Sequence, residues 1–542
     1  MQRGLVSQED IERAKTVQAS LGGRLDSILM RLGAVSEDNL LPVLSELYAA
    51  PMLSPADLPV TSESFAEVVE QSGLDPDWWL DLGVIAWIDD DVVNCVGPNV
   101  CDPTVSEILE RAFHGMQLAW NVMRDYDLER VLETVSPDAG GEYYGDDAEH
   151  LRELAEEAPV IEFVNNMLAQ AYDQNASDIH IEPGEHKMEV RFRVDGVLYN
   201  RYTLPVERFS AISSRVKLVS GMDIAERRLP QDGRFTARLS GQEIDLRVSA
   251  APGVHGESVV MRLLPKDNKT VSLGGIGIAE DNMTVIKRHI TQPHGIILVT
   301  GPTGSGKSTT LYSVLDHVSD DSKKIITVED PVEFQLAGIT QLQTHAEIGY
   351  TFATALRSVL RQDPDVMMVG EIRDLETAEI AIQSSLTGHL VLSTLHTNDA
   401  VSAFTRLIDM GVDPFLVATP VRMVMAQRLV RVLCKHCAVP AAPAAGISEM
   451  IAHIDSAGDE WRDAVGCSHC FGHGYSGRTG IHEVVEVTPA LQEMILQGAS
   501  HQDMLQLAVS QGTRTLRMDG LVKAAQGLTS VDEVLRVTAA EH

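Results

Sequence analysis

The eight residues Gly301-Pro302-Thr303-Gly304-Ser305-Gly306-Lys307-Ser308 have the types and spacing that enclose a polyphosphate. They follow the apolar run Gly295 to Thr300 and lead into a helix-forming stretch, Thr309 to Val318, which is the strand–loop–helix setting of a P-loop. The glycines let backbone N–H groups turn inward, Lys307 neutralises the β/γ oxygens of ATP, and Ser308 offers a hydroxyl to Mg²⁺. Thr309 opens a helix whose N-terminal dipole favours the anion. Downstream, Pro364-Asp-Val-Met-Met-Val-Gly370-Glu371 reads as a buried strand ending in a carboxylate. Gly370 stands where such strands usually carry the Mg²⁺ Asp, so the metal is left to Ser308, phosphate and water, and Glu371 is the candidate general base. A further strand, Ile325 to Val328, runs into Glu329, Asp330 and Glu333, and the run Thr387 to Thr397 carries His389 and His396. Polar residues at strand ends in a parallel nucleotide-binding sheet face the ligand crevice.

A second chemistry is written in cysteine. Cys434-Lys-His-Cys437 and Cys467-Ser-His-Cys470 are two C-x₂-C pairs with 29 residues between them, a spacing suited to a tetrahedral Cys₄ Zn²⁺ site. Two structural disulfides are the alternative. His436, His469 and His473 lie close by as substitute ligands or plain surface residues. Cys95 and Cys101 lack such spacing and read as small buried hydrophobes.

Elements must hold these groups in place. With 542 residues, the chain has room for about three to five domains. Hydrophobic residues make up 44% and charged residues 22%, an ordinary globular balance, and no apolar stretch nears the ~20 residues of a bilayer span. The N-terminal MQRGLVSQEDIERAK is too polar for a secretory signal, which gives a cytoplasmic expectation. Net charge is −35, and residues 1–158 hold 9 Lys+Arg against 32 Asp+Glu. Such acidity opposes nucleic-acid binding and unaided docking on anionic lipid.

Gly4 to Ile11 and Gly33 to Leu40 resemble each other, and Ser7 and Ser36 have the position of N-caps, so residues 1–50 read as a helical unit with an internal duplication. Residues 60–135 read as a small α+β lobe, completing an N-terminal region 1–135. An acidic, Gly-rich linker follows at 136–158. A smaller α/β sheet domain is expected at 159–265, with a helix over Val160 to Tyr172 and strands at Asp178 to Glu182, Met188 to Asp195, Glu243 to Ala250 and Glu257 to Leu264. An α/β lobe carrying the P-loop follows at 266–542, with a Cys₄ metal subdomain at about 431–481.

From Pro159 to the C-terminus the motifs resemble the ATPases of type II secretion systems and type IV pili. They are Arg227-Arg-Leu-Pro-Gln-Asp-Gly-Arg234, the P-loop, Thr327 to Glu333, Leu360 to Asp374, Leu386 to Asn398, Gln427-Arg-Leu-Val-Arg431 and Gly477-Arg-Thr-Gly-Ile-His-Glu483. The type II secretion branch is the better likeness. The resemblance implies a two-lobed, Mg²⁺-dependent ATPase motor, its lobe at 266–542 RecA-like, that assembles as a homo-hexamer at the cytoplasmic face of the inner membrane and drives pseudopilus assembly. Its N-terminal region would bind the cytoplasmic domain of an inner-membrane secretion-system protein, its motor would meet a polytopic platform protein, and membrane contact would be indirect. Arg247 and Arg262 match family arginines that reach nucleotide phosphates when the lobes close, and Arg357, Arg361 and Arg373 match others near the catalytic strand. Ala355 replaces an expected Gly. The N-terminal duplication looks like a cyclic di-GMP-binding unit, with Asp26 where that pattern wants Gly. Competing readings are a type IV pilus assembly ATPase and a nucleotide-gated scaffold without useful turnover; a nucleic-acid motor is opposed by the charge.

Overall fold

The computed structural model describes residues 5–539 except 22–23, 99, 126, 129–130, 133–151, 153–154, 241, 266–270, 444–445 and 455–457. Most of the expected linker and the end of the expected α+β lobe lie outside the described residues. The chain divides into two compact units, Met1–Lys266 and Asp267–His542. Among the described residues no helix is long and apolar enough to cross a membrane.

In the first unit, helices Gln8–Leu21, Leu25–Arg31 and Glu37–Tyr48 precede a sheet of β1 (Ile85–Asp89), β2 (Val92–Val96) and β3 (Gln117–Asn121). Ser7 caps as its sequence position implies: its Oγ accepts from the Asp10 N–H at 3.1 Å while Asp10 accepts the Ser7 N–H at 3.3 Å, a reciprocal arrangement that satisfies orphan donors. Ser36 does not cap. Its hydroxyl donates to Asp173 on helix Ala158–Asp173, because a partner across the fold competes with the local N–H.

The larger sheet of this unit is antiparallel throughout, in the order β6 (Val197–Pro205), β5 (Lys187–Val194), β4 (Ala176–Pro183), β9 (Gly256–Pro265), β8 (Gln242–Gly253), β7 (Gln231–Leu239). Met188, Val190, Phe192 and Val194 of β5 all enter its core, as the period-two pattern requires. Strands β6 and β7 complete the sheet without a comparably clean alternation in sequence.

The N-terminal helices are fastened to this sheet domain by polar contacts. Asp173 accepts from Asn39 Nδ2 at 2.8 Å and Ser240 Oγ at 2.8 Å, and Arg238 grips Glu9 with two bonds of 3.0 and 3.1 Å. Glu37 is 3% exposed; it accepts from the Asp125 N–H at 2.5 Å and from Asn166 Nδ2 at 3.2 Å.

The second unit is built on a seven-stranded sheet ordered β12 (Thr340–Gln343), β11 (Ile325–Glu329), β13 (Val366–Val369), β14 (Leu390–Leu395), β10 (Gly295–Thr300), β15 (Val421–Leu433), β18 (Tyr475–Glu486). All neighbours are parallel except the β15–β18 hairpin, and β16 (Val439–Pro440) pairs with β17 (Arg462–Asp463) inside that hairpin's long connection. Alternate residues of β10 go to opposite faces: Ile296 and Leu298 join one core, Ile297 and Val299 the other. Both faces are covered, which is why parallel strands read as unbroken apolar runs.

Burial, with the neighbouring Asp125 charge next, pushes the Glu37 carboxyl up to about 8 from an ordinary 4.5. A raised carboxyl means the folded unit holds a proton that the unfolded chain releases, so this stabilisation is complete below about 4.5 and lost as pH rises through about 8. Glu37→Gln should therefore flatten the pH dependence of thermal unfolding between pH 5 and 8, and at pH 8.5 it should melt above the wild type. A variant whose melting follows the wild-type pH profile would show Glu37 ionised in the folded chain.

Candidate active site and metal centre

Parallel strands β11, β13, β14 and β10 are successive neighbours, so their carboxyl ends form one edge, and the loops leaving them meet there. From β10 the chain turns through Gly301–Gly306 into helix Lys307–Val318. At Gly301 a Cβ would stand 2.6 Å from the Gln427 carbonyl oxygen and from Ser305 Oγ, and at Gly306, where φ is +86°, 2.8 Å from Gln427 Nε2. Only glycine leaves the loop backbone free to follow a ligand so closely.

Lys307 is buried and donates to the Gly301 and Pro302 carbonyls at 2.7 and 3.0 Å. Burial presses its ammonium down to about 8; the Glu371 charge opposes that shift and Arg428 adds to it. The Ser305 hydroxyl is buried with no hydrogen-bond partner. A desolvated cation beside an orphaned hydroxyl, at a helix N-terminus, fits the oxygens of a polyphosphate. Ser308 and Thr309 are exposed on the first helical turn, where a metal bridging those oxygens could take the Ser308 hydroxyl.

At the end of β13, Glu371 is 17% exposed and pairs with Arg373 on one side and with His396 Nε2, 3.3 Å away, on the other. His396 leaves the adjacent β14, and the next residue fixes that exit: the Thr397 N–H donates to Thr300 Oγ1 at 2.9 Å. Gly370 gives its carbonyl to Thr394 Oγ1 at 2.7 Å and has no side chain to bind metal. The carboxylates after β11 separate in role. Glu329 is 4% exposed and saturated by Tyr312, by Thr327 Oγ1 at 2.5 Å and by Gln341 Nε2 at 3.1 Å. Asp330 lends charge to Arg373, while Glu333 is exposed. His389 does not face the crevice: it precedes β14, at the amino edge, where its ring and N–H turn to the Ser384 carbonyl. The run Thr387 to Thr397 spans the whole strand, so its two histidines stand at opposite ends. Arg357 binds Glu376 at 2.7 Å, and Arg361 the Arg357 carbonyl at 2.7 Å.

In the first unit Arg247 and Arg262 are directly opposed across β8 and β9, and Arg234 opposes Arg247 from β7. Arg234 closes the Arg227–Arg234 motif, and strand register, invisible in sequence, puts it in line with the other two. The row continues through Asp178 to Arg193. Arg262 Nε donates to Asp178 at 2.9 Å. Burial pushes the Asp178 carboxyl up, but Arg262 and Ser177 together hold it below its usual range.

The four cysteines after β15 and before β18 converge, every Sγ within 4.8 Å of the others. Three of the Sγ pairs are 3.8 to 3.9 Å apart, matching the edge of about 3.8 Å in a tetrahedron of ~2.3 Å Zn–S bonds. Backbone N–H groups of Gly466, Cys467 and Gly474 point at Cys437 and Cys470 sulfurs at 3.1 to 3.3 Å, which favours thiolates. His436 and His469 stack face to face, ring centres 4.0 Å apart, rather than turning to the sulfurs. All six cysteines are free thiols, and Cys95 is buried.

A family model described as Type II/IV secretion system protein matches residues 153–536. Type II secretion system protein E of Xanthomonas campestris is 42% identical over 99% of this chain and 97% of its own. Type II secretion system ATPase E of Vibrio cholerae is 51% identical over 72% of this chain and 77% of its own. Type IV pilus assembly ATPase PilB of Myxococcus xanthus is 39% identical over 100% of this chain and 98% of its own. The crystal structure of the Legionella pneumophila ATPase DotB shares the fold, with a TM-score of 0.52 and 23% identity over 70% of this chain and 95% of that one.

The depressed Lys307 ammonium carries a measurable signature. A polyphosphate bound against it restores the charged form, so association at pH 8.5 should take up protons, while at pH 6.5 the lysine already holds its proton. Calorimetry of ADP binding in two buffers of different ionisation heat reads that uptake directly. An uptake at pH 8.5 no greater than at pH 6.5 would place the lysine at an ordinary pKa.

Proposed function

We propose, because the chain belongs to the Type II/IV secretion system protein family, that it is the ATPase motor of a type II secretion system and drives pseudopilus assembly by hydrolysing ATP. The observation that carries this reading is the convergence, at one sheet edge, of a glycine-lined phosphate loop with buried Lys307 and a carboxylate, Glu371, held between Arg373 and His396. Identity favours type II secretion, at 42% to the Xanthomonas protein and 51% to the Vibrio ATPase against 39% to the pilus assembly ATPase. The equally long match to a pilus assembly ATPase favours, as a second reading, the same chemistry applied to a pilus. Restoration of protein secretion, rather than of piliation, in a bacterium lacking its own secretion ATPase separates the two.

In this reading Lys307 and the backbone N–H groups of Thr303, Gly304 and Gly306 hold the β- and γ-phosphates, and Ser308 would hold Mg²⁺. Mg²⁺, when bound, neutralises charge building on the transferred phosphoryl oxygens. Glu371 orients the attacking water and takes its proton, with Arg373 and His396 on either side holding the carboxylate in place. Arg247 and Arg262 are arginine fingers whose charges meet phosphate as the lobes close, and Arg234 extends that row. Asp330 tunes Arg373; Glu329 anchors the helix that follows the P-loop through Tyr312; Glu333 stays accessible to solvent and metal-bound water. The motor works as a homo-hexamer on the cytoplasmic side of the inner membrane. Its N-terminal region receives the cytoplasmic domain of an inner-membrane secretion protein, and a polytopic platform protein receives the motion. No nucleic acid takes part.

The two central residues should fail differently. Lys307→Ala should lose nucleotide binding, because phosphate charge is present in ground and transition states alike. Glu371→Gln should still bind ATP and lose about 10²- to 10⁴-fold in kcat, the range for a general base. Equal loss of ATP binding in both variants would remove Glu371 from the water.

Zinc held by Cys434, Cys437, Cys467 and Cys470 is structural in this reading, a closed four-thiolate site. Elemental analysis should find about one Zn²⁺ per chain, and Cys437→Ala should lose it together with the order of residues 434–474, leaving ADP affinity within about twofold. Metal-free protein purified anaerobically with four reactive thiols would refute the site.

A further inference from the structure

The buried residues of strand β15 are apolar except for two adjacent ones, Gln427 (2% exposed) and Arg428 (8%), and neither has a part in the proposed hydrolysis. We infer that Gln427 is a positioning residue for the phosphate loop: its side-chain amide sets the Ser305–Gly306 peptide so that the Gly306 N–H faces the phosphates. The inference rests on the proposed nucleotide site and deepens it.

The register explains how one residue reaches both ends of the loop. β15 runs parallel to β10, with Ala426 opposite Thr300, so Gln427 lies beside Gly301. Its carbonyl sits where a Gly301 Cβ would be, its Oε1 accepts from Thr310 Oγ1 at 2.7 Å, and its Nε2 donates to the Ser305 carbonyl at 2.9 Å while packing on Gly306. The Ser305–Gly306 peptide carries that carbonyl on one side and the Gly306 N–H on the other. Fixing the carbonyl toward β15 therefore turns the N–H the opposite way, toward the ligand side of the loop. The Ser305 carbonyl can only accept, so it fixes the nitrogen end of the amide, and Thr310, one turn into the helix, donates its hydroxyl to the oxygen end that is left. Arg428 adds a tie in the same direction, donating to the Gln427 carbonyl at 3.0 Å and to the Asn398 carbonyl, two residues past His396, at 2.8 Å.

Such a brace acts on ground and transition states equally, so its loss appears in affinity rather than turnover. Gln427→Leu, Gln427→Glu and Thr310→Val in the full chain should each raise the ADP Kd and the ATP KM by about 10-fold, the size of one or two hydrogen bonds in a buried site, with kcat within about twofold. Thr310→Ser keeps the hydroxyl and should restore wild-type affinity. If Gln427→Leu fails to fold, the Thr310→Val and Thr310→Ser pair carries the comparison, with melting temperature measured alongside. Variants that melt earlier yet bind ADP as tightly as wild type would overturn the inference and leave Gln427 a packing residue. Wild-type protein that bound no ADP would instead refute the nucleotide reading itself.

Discussion

A single constraint runs through the second unit: a lysine ammonium must stay charged while nearly out of water. Lys307 is 9% exposed, and leaving such a cation without compensation is costly. The surroundings supply partial compensation only. Two loop carbonyls accept from it and Glu371 contributes a distant negative charge, yet its proton is still held less firmly than in water. The protein's own groups thus leave the cation partly uncompensated, and an anion beside it relieves that. The glycines bring backbone rather than side chains to the ligand, and the strand ends deliver Glu371 and His396 to the same place.

The site's own residues were legible because their chemistry is local. A P-loop is contiguous, its flanking apolar run is the strand, and the next segment is the helix. The two C-x₂-C pairs were equally readable, since tetrahedral thiolate sites impose spacing within each pair. What sequence left obscure depends on register and on which end of a strand a residue occupies. His389 and His396 lie in one continuous run, and only the span of β14 tells that they stand at opposite edges. Arg234 lies 13 residues before Arg247, and the β7–β8 pairing alone makes them neighbours. Glu329 shared its strand end with Asp330, but side-chain alternation sent it into the protein to Tyr312. Gln427 had a signal in plain view, a buried amide inside an apolar strand, whose partners lie more than a hundred residues away.

In the first unit the same principle separates a cap from a clasp. Ser7 and Ser36 occupy equivalent places in two similar segments, and a local rule assigns both to N-capping. Ser36 bonds to Asp173 instead, beside Asn39 and Ser240, so one copy of the duplication is diverted from finishing its own helix to fastening the helical unit to the sheet domain. The fastening is polar and acidic, with Glu37 and Asp173 both raised by burial. Such contacts contribute less net stability than apolar packing of equal area, and they respond to protonation. A region of this acidity is therefore held by contacts that a change of partner or charge can release.

The arginine row poses the complementary problem. Arg234, Arg247, Arg262 and Arg193 share one line across five strands with Asp178 as the lone acid, and like charges directly opposite each other oppose strand pairing. Asp178 offsets part of this, held ionised by Arg262 against its own burial. It has one charge to set against four. Arg262 remains 62% exposed despite its ion pair, so water screens much of the repulsion and the sheet tolerates the row. Tolerance is not a reason for it to exist: the hydrophobic face of these strands already fixes their register, and neutral residues at the outward positions would stabilise the sheet better. A line of cations on an antiparallel frame that sets their spacing has the charge and geometry to complement an anion with several charged oxygens, and such pairing strengthens as water is excluded.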